Sequence, residues 1–257
     1  MKHDIRIVAV TGKGGTGKTI FTYLLARYAI ELGYYPLLID ADPTMSHLTH
    51  LLEQKSDRTI ESVRKDIIQV ASQKTEDQNQ KLAEEIDTIV EKSIIDTSTY
   101  SLLIMGQPET KGCFCPTNSL LRNIISAVIQ DYDLIIIDAE AGLEQIHRQV
   151  MGDIDCLIIL CDFSLRSVAT ANSIANSANK FINFKKIGLV INKKMGDFNA
   201  KFKENIKQIG IPIIGEVPFD EKLMKLEQMG ESLDKLKDKS VAVKAIKKIA
   251  QNLLVTN

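Results

Sequence analysis

The sequence predicts an α/β fold in which helices flank a doubly wound, mostly parallel sheet. Three observations predict it. Short apolar runs rich in branched residues alternate with amphipathic helical stretches almost throughout the chain. The run Leu134–Asp138 is continuously apolar, as in a strand that is buried on both faces of a parallel sheet. A glycine-rich segment joins the first strand to the first helix. No internal repeat or flexible linker interrupts residues 1–257, so we expect a single domain.

The elements follow in order from local patterns. Branched apolar runs of four to seven residues predict strands, at Ile5–Val10, Tyr35–Asp40, Tyr100–Met105, Leu134–Asp138, Cys156–Cys161, Ile187–Asn192 and Ile213–Val217. Apolar residues at helical spacing predict helices, at Ile20–Leu32, Ile60–Ser72, Gln80–Ser93, Thr117–Gln130 and Val241–Leu254. The stretch from His47 to Thr99 is therefore expected to be mainly helical, and Asp234–Ser240 a surface loop.

Composition narrows the class of function. Lys and Arg number 32 against 33 Asp and Glu, so the basic surplus typical of nonspecific nucleic-acid binding is missing and we expect no nucleic-acid partner. No apolar run has the length of a membrane span. The first residues lead straight into a strand without a signal-peptide pattern, which predicts a cytoplasmic protein. Four cysteines in a chain of 257 residues do not indicate a disulfide framework.

The segment after the first strand is a phosphate-binding loop. Gly12 to Thr19 fit the pattern G-x-x-x-x-G-K-[ST], in which backbone N–H groups surround phosphate oxygens. Lys18 would reach the β- and γ-phosphates, and the Thr19 hydroxyl would ligate Mg²⁺. The predicted nucleotide contacts are Gly12, Gly14, Gly15, Thr16, Gly17, Lys18, Thr19 and Ile20.

A dinucleotide-binding turn is the alternative for this loop. Gly12, Gly14 and Gly17 also satisfy G-x-G-x-x-G, and Asp40 ends the next strand, where such enzymes place a ribose-binding acid. That pattern has no use for Lys18-Thr19, nor for the second acidic strand end at Asp138. Both features favour the phosphate-binding loop of a nucleoside triphosphatase.

Lys13 departs from an ordinary loop of this kind. Lys18 already supplies a local cation, so Lys13 is either a solvated surface lysine or a residue that reaches the phosphates of a partner subunit. In the second case it would stabilise charge on the transferred phosphoryl group, as an arginine finger does.

The segment Lys13-Gly-Gly-Thr-Gly-Lys18-Thr resembles the deviant Walker A motif of the family that includes nitrogenase iron protein, MinD and ParA. The resemblance implies a homodimeric ATPase in which Lys13 acts across the dimer. Asp40-Ala-Asp42-Pro43 resembles the first switch, where Asp42 would orient the attacking water and Asp40 would support Mg²⁺. Asp138, which begins Asp-Ala-Glu-Ala-Gly, resembles the Walker B acid that holds Mg²⁺ through a water.

The base is predicted to be adenine. Asn192-Lys193-Lys194-Met195 resembles the N-K-x-D motif of GTPases, but Met195 replaces the aspartate that recognises guanine. By similarity to the ATPase family, Asn192 would recognise adenine, and Pro218 and Phe219 would line the base pocket. The expected nucleotides are ATP and ADP.

The pair Cys113 and Cys115 indicates a metal site. Two thiolates separated by one residue cannot complete a tetrahedral site, but two copies across a twofold axis supply four sulfurs. Incidental loop thiols or a redox pair remain alternatives. Residues 105–122 resemble the Cys-x-Cys segment of the CooC group, ATPases that insert nickel into carbon monoxide dehydrogenase. The resemblance implies Ni²⁺, although Zn²⁺ suits thiolates equally well.

The sequence thus predicts an ATP-hydrolysing metallochaperone that delivers nickel to apo carbon monoxide dehydrogenase, with acetyl-CoA synthase as the alternative client. An iron–sulfur reductase like nitrogenase iron protein is a second hypothesis, although no cysteine follows Asp138 before Cys156. A positioning ATPase like MinD or ParA is a third. Its support is a basic amphipathic last helix, which could lie on a membrane. We expect that helix to pack on the sheet, without stable membrane association.

Overall fold

A computed structural model shows the arrangement of the chain, and it describes residues 6–42, 46–55, 58–63, 65–66, 91–106, 131–139, 153–236 and 238–255. Within these ranges, eight strands form one sheet: β1 (Ile7–Gly12), β2 (Leu37–Asp40), β3 (Ile95–Asp96), β4 (Ser101–Ile104), β5 (Ile135–Asp138), β6 (Asp153–Cys161), β7 (Asn183–Lys194) and β8 (Ile213–Pro218). Their order across the sheet is β3-β4-β2-β5-β1-β6-β7-β8. All neighbours pair in parallel except β3 and β4.

The described helices cover both faces of this sheet. They are α1 (Lys18–Glu31), α2 (His47–Leu51), α3 (Leu165–Phe181), α4 (Ala200–Ile209), α5 (Glu221–Met229) and α6 (Val241–Leu254). A short 3₁₀ helix spans Leu233–Lys235. One apolar core lies between the sheet and the helices α3 and α4. A second core lies between the opposite face of the sheet and the helices α1 and α6. The predicted doubly wound, mostly parallel α/β fold is confirmed.

Several observed elements differ in detail from the predicted ones. The stretch to Thr99, expected to be mainly helical, ends with the edge strand Ile95–Asp96. A strand of two residues is too short to give a recognisable alternation of apolar and polar residues in the sequence. It forms because it pairs in antiparallel fashion with Ser101 and Leu102. The segment predicted as a surface loop begins with part of the 3₁₀ helix and includes Leu236, which is buried.

The strand order places the ends of three strands at one point. β1 lies between β5 and β6, and β2 lies next to β5. Because these strands are parallel, the residues that follow their carboxyl ends meet at one edge of the sheet, as in other open α/β sheets that bind ligands. The phosphate-binding loop follows β1, and the predicted acids end β2 and β5.

The last helix packs on the sheet, as expected. Its apolar stripe is buried, at Ala242, Val243, Ile246, Ile249, Ala250 and Leu254. Lys247 at its side forms ion pairs with Glu31 of α1 and with Asp238. No helix in the described part of the chain combines the length and apolar character that crossing a bilayer requires.

Candidate nucleotide site

The phosphate-binding loop begins at Gly12, where β1 pairs with Leu160 of β6. Gly12 has φ 152°, and a Cβ atom at this position would collide with the carbonyl oxygen of Leu160. Gly15 and Gly17 have φ values of 82° and 88°, in the left-handed region that favours glycine. Gly17 is the N-cap of α1, so the loop leads directly into the start of a helix, where backbone N–H groups and the helix dipole favour an anion.

Hydrogen bonds within the loop centre on the carbonyl oxygen of Lys13. It accepts from the Thr16 hydroxyl at 2.7 Å and from the Thr16 backbone N–H at 3.3 Å. The Lys18 ammonium lies 3.5 Å from the same oxygen. These contacts close the loop into a turn.

Asp40 and Asp138 end neighbouring strands side by side. They are register partners in the β2–β5 pair, and they are 0% and 2% exposed. The Thr22 hydroxyl donates to Asp138 Oδ1 at 3.4 Å, and Thr19 also hydrogen-bonds to this carboxyl. Two acids thus lie next to each other beneath the phosphate-binding loop.

Asp40 holds α2 in place. Its Oδ2 accepts from the Thr49 N–H at 2.8 Å and from the Thr49 hydroxyl at 2.7 Å, and its Oδ1 accepts from the Asp42 N–H at 3.4 Å. Leu48 of the same helix is fully buried. Burial raises the pKa of the Asp40 carboxyl, and the hydrogen bonds from Thr49 partly oppose that rise. Asp40 therefore orients the start of α2, and its part in the metal site stays a prediction.

Burial raises the pKa of Asp138 to about 7. This net pKa also includes a rise caused by the neighbouring Asp40 and a fall caused by the hydrogen bonds from Thr19 and Thr22 and by the charge of Lys18. Burial destabilises the charged form of this carboxylate. A cation bound nearby would stabilise the charged form and so favour ionisation of Asp138.

A cleft of about 520 Å³ lies over these groups. Its wall includes Lys18, Thr19 and Asp138, together with Asp42 from the segment after β2. The other described residues in the wall are Gly14, Gly15, Gly17, Ile20, His47, His50, Leu51, Ala139, Lys193 and Glu227. The structure thus brings most of the predicted phosphate-contacting residues together around one cavity.

The donor set fits Mg²⁺. Thr19 supplies a hydroxyl oxygen and Asp138 a carboxylate oxygen, and hard oxygen ligands are those that Mg²⁺ prefers. The raised pKa of Asp138 is the observation that favours a cation at this position. No group of three or more His, Cys, Asp or Glu residues suited to a metal occurs in the described part of the chain. Mg²⁺ is usually bound through one or two protein oxygens together with phosphate and water ligands.

The end of β7 closes the cleft from the other side. The Asn192 side-chain amide donates to the carbonyl oxygen of Thr16 at 2.7 Å, so it lies against the phosphate-binding loop. Pro218 pairs with Lys194 at the end of β8, and the Phe219 N–H donates to the Lys194 carbonyl oxygen at 2.9 Å. Neither Pro218 nor Phe219 is part of the cleft wall. Adenine recognition by these residues stays a prediction.

The wall also contains residues that were not assigned a role from the sequence, among them Lys193, His50 and Glu227. Lys193 belongs to the N-K-x-D-like segment, which was the only signal for it. His50 lies three residues after His47, and the two share the exposed face of α2 because Leu48 and Thr49 are buried. Glu227 reaches the site through the position of α5, which no local pattern indicates.

Lys13 is half-buried, and its side chain is not part of the wall of the cleft among the described residues. Its predicted action in a partner subunit stays a prediction. Cys113 and Cys115 lie outside the described residues, as do Glu140, Gly142 and the predicted helix at 117–130.

Comparison with known proteins identifies relatives over nearly the whole chain. Residues 7–233 match the family described as the CobQ/CobB/MinD/ParA nucleotide binding domain. An uncharacterized ATP-binding protein of Methanocaldococcus jannaschii is 31% identical over 249 residues, which cover 96% of this chain and 98% of that protein. The carbon monoxide dehydrogenase accessory protein CooC of Rhodospirillum rubrum is 28% identical over 238 residues, 88% of each chain.

A solved structure confirms the fold. The septum site-determining protein MinD of Pyrococcus horikoshii, complexed with Mg-ADP, superposes with a TM-score of 0.67. The match covers 96% of this chain and 95% of that one, at 20% sequence identity. At this identity the likeness concerns the fold.

Proposed function

The chain belongs to the CobQ/CobB/MinD/ParA family of nucleotide-binding domains, and from this premise we propose that it is an ATP-hydrolysing metallochaperone. In the proposed cycle ATP closes a homodimer through Lys13. Closure brings the Cys113 and Cys115 segments of two subunits together around one nickel ion. Hydrolysis then opens the dimer, and nickel passes to apo carbon monoxide dehydrogenase.

ATP binding is supported by the loop and by the cleft. The N–H groups at the start of α1 and the Lys18 ammonium bind the phosphates, and Asp42 in the cleft wall orients the attacking water. Thr19 and Asp138 would hold Mg²⁺, with Asp40 behind them. When bound, Mg²⁺ neutralises charge on the β- and γ-phosphate oxygens.

The position of Lys13 supports action across a dimer. The carbonyl oxygen of Lys13 closes its own loop, while its side chain stays outside the wall of its own cleft. Lys18 already supplies an ammonium group to that cleft. A second lysine that does not line its own site can serve the phosphates of a partner, where charge develops during transfer.

The observation that carries the metal part of the proposal is the link between the nucleotide site and the strand that precedes the cysteines. β4 pairs with β2 residue by residue up to Asp40 and Ile104. The Met105 N–H then donates to the Asp40 carbonyl oxygen at 2.9 Å. A nucleotide-dependent shift at Asp40 and Asp42 would therefore reach the end of β4, from which the chain leads on to Cys113 and Cys115. Similarity to CooC of Rhodospirillum rubrum supports nickel as the cargo.

The two alternatives have less support. Cys156 is 2% exposed within β6, and burial raises the pKa of its thiol to about 11, which is unfavourable for a cluster ligand. The apolar stripe of α6, which supported a membrane-positioning ATPase, is buried against the sheet. Iron and sulfide analysis of anaerobically purified protein tests the first alternative, and liposome co-sedimentation with ATP tests the second.

Nickel stoichiometry tests the proposal itself. With a non-hydrolysable ATP analogue under reducing conditions, equilibrium dialysis should give one nickel per two chains. Cys113→Ala should abolish this binding and leave ADP affinity unchanged, because the cysteines are not needed to bind nucleotide. Cys156→Ala, which removes a buried thiol from β6, is the matched control and should keep the nickel. Unchanged nickel affinity in Cys113→Ala contradicts the proposal.

A further inference from the structure

Two consecutive residues at the end of β7 hold two consecutive carbonyl groups of the phosphate-binding loop. The Lys193 ammonium donates to the carbonyl oxygen of Gly15 at 2.9 Å. The Asn192 amide donates to the carbonyl oxygen of Thr16 at 2.7 Å. Together these two side chains tie the loop to a strand more than 170 residues away in the chain.

A left-handed backbone at Lys193 accompanies this double contact. Consecutive side chains of a regular strand point to opposite faces, so Asn192 and Lys193 would not reach the same loop. Lys193 has φ 55°, and the register between β7 and β8 is irregular between Ile191 and Lys194. A left-handed conformation is unfavourable for a residue with a side chain and persists where the surroundings enforce it, often at functional sites. The strained residue is thus the one that contacts the loop.

Holding the two carbonyl groups also orients the loop N–H groups. A trans peptide unit is planar, with its C=O and N–H pointing in opposite directions. The Thr16 carbonyl shares a peptide unit with the Gly17 N–H, so the Asn192 contact points that N–H away from Asn192. The Gly15 carbonyl shares a peptide unit with the Thr16 N–H, which donates to the Lys13 carbonyl oxygen. Gly15 and Gly17 are glycines in the left-handed region, so fixing their conformation lowers the entropy lost when phosphate binds.

We propose that Lys193 is a positioning residue for the nucleotide phosphates, acting through the Gly15 carbonyl to hold the loop in its binding conformation. Lys193 lines the cleft together with Lys18 and with Glu227 of α5, and its charge acts on the Glu227 carboxyl. This role concerns nucleotide binding alone and does not depend on the metal cargo.

Substitution at two adjacent lysines tests the role. Lys193→Met removes the donor, and we expect the ADP dissociation constant to rise about tenfold, as for loss of a hydrogen bond from a charged group. Amide hydrogen exchange in residues 13–17 of the nucleotide-free protein should become faster. Lys194→Met is the matched control, because Lys194 pairs with Glu216 and lies over the Phe198 ring outside the cleft wall. It should change neither quantity.

Two further variants separate positioning from stability. Lys193→Asn tolerates the left-handed backbone but is too short to reach Gly15, so it should keep the melting temperature and still lose ADP affinity. Lys193→Arg keeps a charged donor and should recover most of the affinity. An ADP affinity within twofold of the parent in both Lys193→Met and Lys193→Asn overturns the proposal. Weaker ADP binding with unchanged exchange in residues 13–17 also overturns it, because Lys193 would then act on the nucleotide directly.

Discussion

Asp40 and Asp138 are direct register partners on the parallel strands β2 and β5, and both carboxyl groups are withdrawn from solvent. Neighbouring parallel strands lie about 4.8 Å apart, so two acids share a small buried volume. Burial raises the pKa of both. Substitution of either acid is therefore expected to change both nucleotide binding and the free energy of unfolding.

Asp138→Asn should stabilise the protein when nucleotide and Mg²⁺ are absent. The pKa of Asp138 is about 7 when folded, against an ordinary value of 3.8, so the folded state binds more protons between these limits. The contribution of Asp138 to unfolding free energy therefore falls as pH rises from about 4 to about 7. Asparagine removes that dependence, and the variant should be about 2 kcal/mol more stable than the parent at pH 8.

Urea unfolding at pH 5 and pH 8 measures this difference. The stability gain of Asp138→Asn should be larger at pH 8 than at pH 5. The same variant should lose the extra stability that Mg-ADP gives the parent. A gain that does not grow with pH would show that Asp138 is ionised in the folded protein at pH 5.

Gly17→Ala should destabilise the protein by about 1–2 kcal/mol, since φ is 88° there. A Cβ atom would also lie 2.7 Å from the Asn192 amide nitrogen, which would disturb its bond to Thr16. Gly14→Ala is the control, because a Cβ at Gly14 meets no atom within 4 Å. Thermal unfolding without nucleotide should separate the two variants, and equal melting temperatures would argue against the strained loop geometry.

Thr49→Val should weaken the hold of Asp40 on α2. The substitution removes the hydroxyl donor at 2.7 Å and leaves the backbone donor, so we expect a loss of about 1–2 kcal/mol in unfolding free energy. ATP hydrolysis should fall more than ADP affinity. The reason is that Asp40 also accepts from the N–H of Asp42, the residue proposed to orient the attacking water. Thr170→Val, on the exposed side of α3, is the control. If Thr49→Val hydrolyses ATP at the parent's rate, the contact between Asp40 and α2 does not contribute to hydrolysis.

Lys13→Ala should keep nucleotide binding and lose dimerisation. The Lys13 contribution to its own loop is a backbone carbonyl, which alanine retains. ADP affinity should therefore stay within about threefold, whereas Lys18→Ala should bind ADP much more weakly. Size-exclusion chromatography with a non-hydrolysable ATP analogue compares dimer formation. A Lys13→Ala dimer as stable as the parent's would assign this lysine to the surface.

Most of the fold could be predicted from the sequence because its strands are apolar runs with clear ends. Where strand residues are exposed, the prediction was shorter than the element: β7 begins at Asn183 rather than Ile187, since Lys185 and Lys186 hide the strand pattern. The loop and the two acids were predicted because local motifs carry them. Glu227 was not predicted, because its place in the cleft wall depends on how α5 crosses the site.

Nucleotide and metal should favour the same closed dimer. Nickel affinity, measured by titration calorimetry with and without a non-hydrolysable ATP analogue, tests it most directly. If both ligands favour one state, the analogue should tighten nickel binding at least tenfold, and nickel should tighten analogue binding by the same factor. Nickel affinity that is equal with and without the analogue would contradict the account.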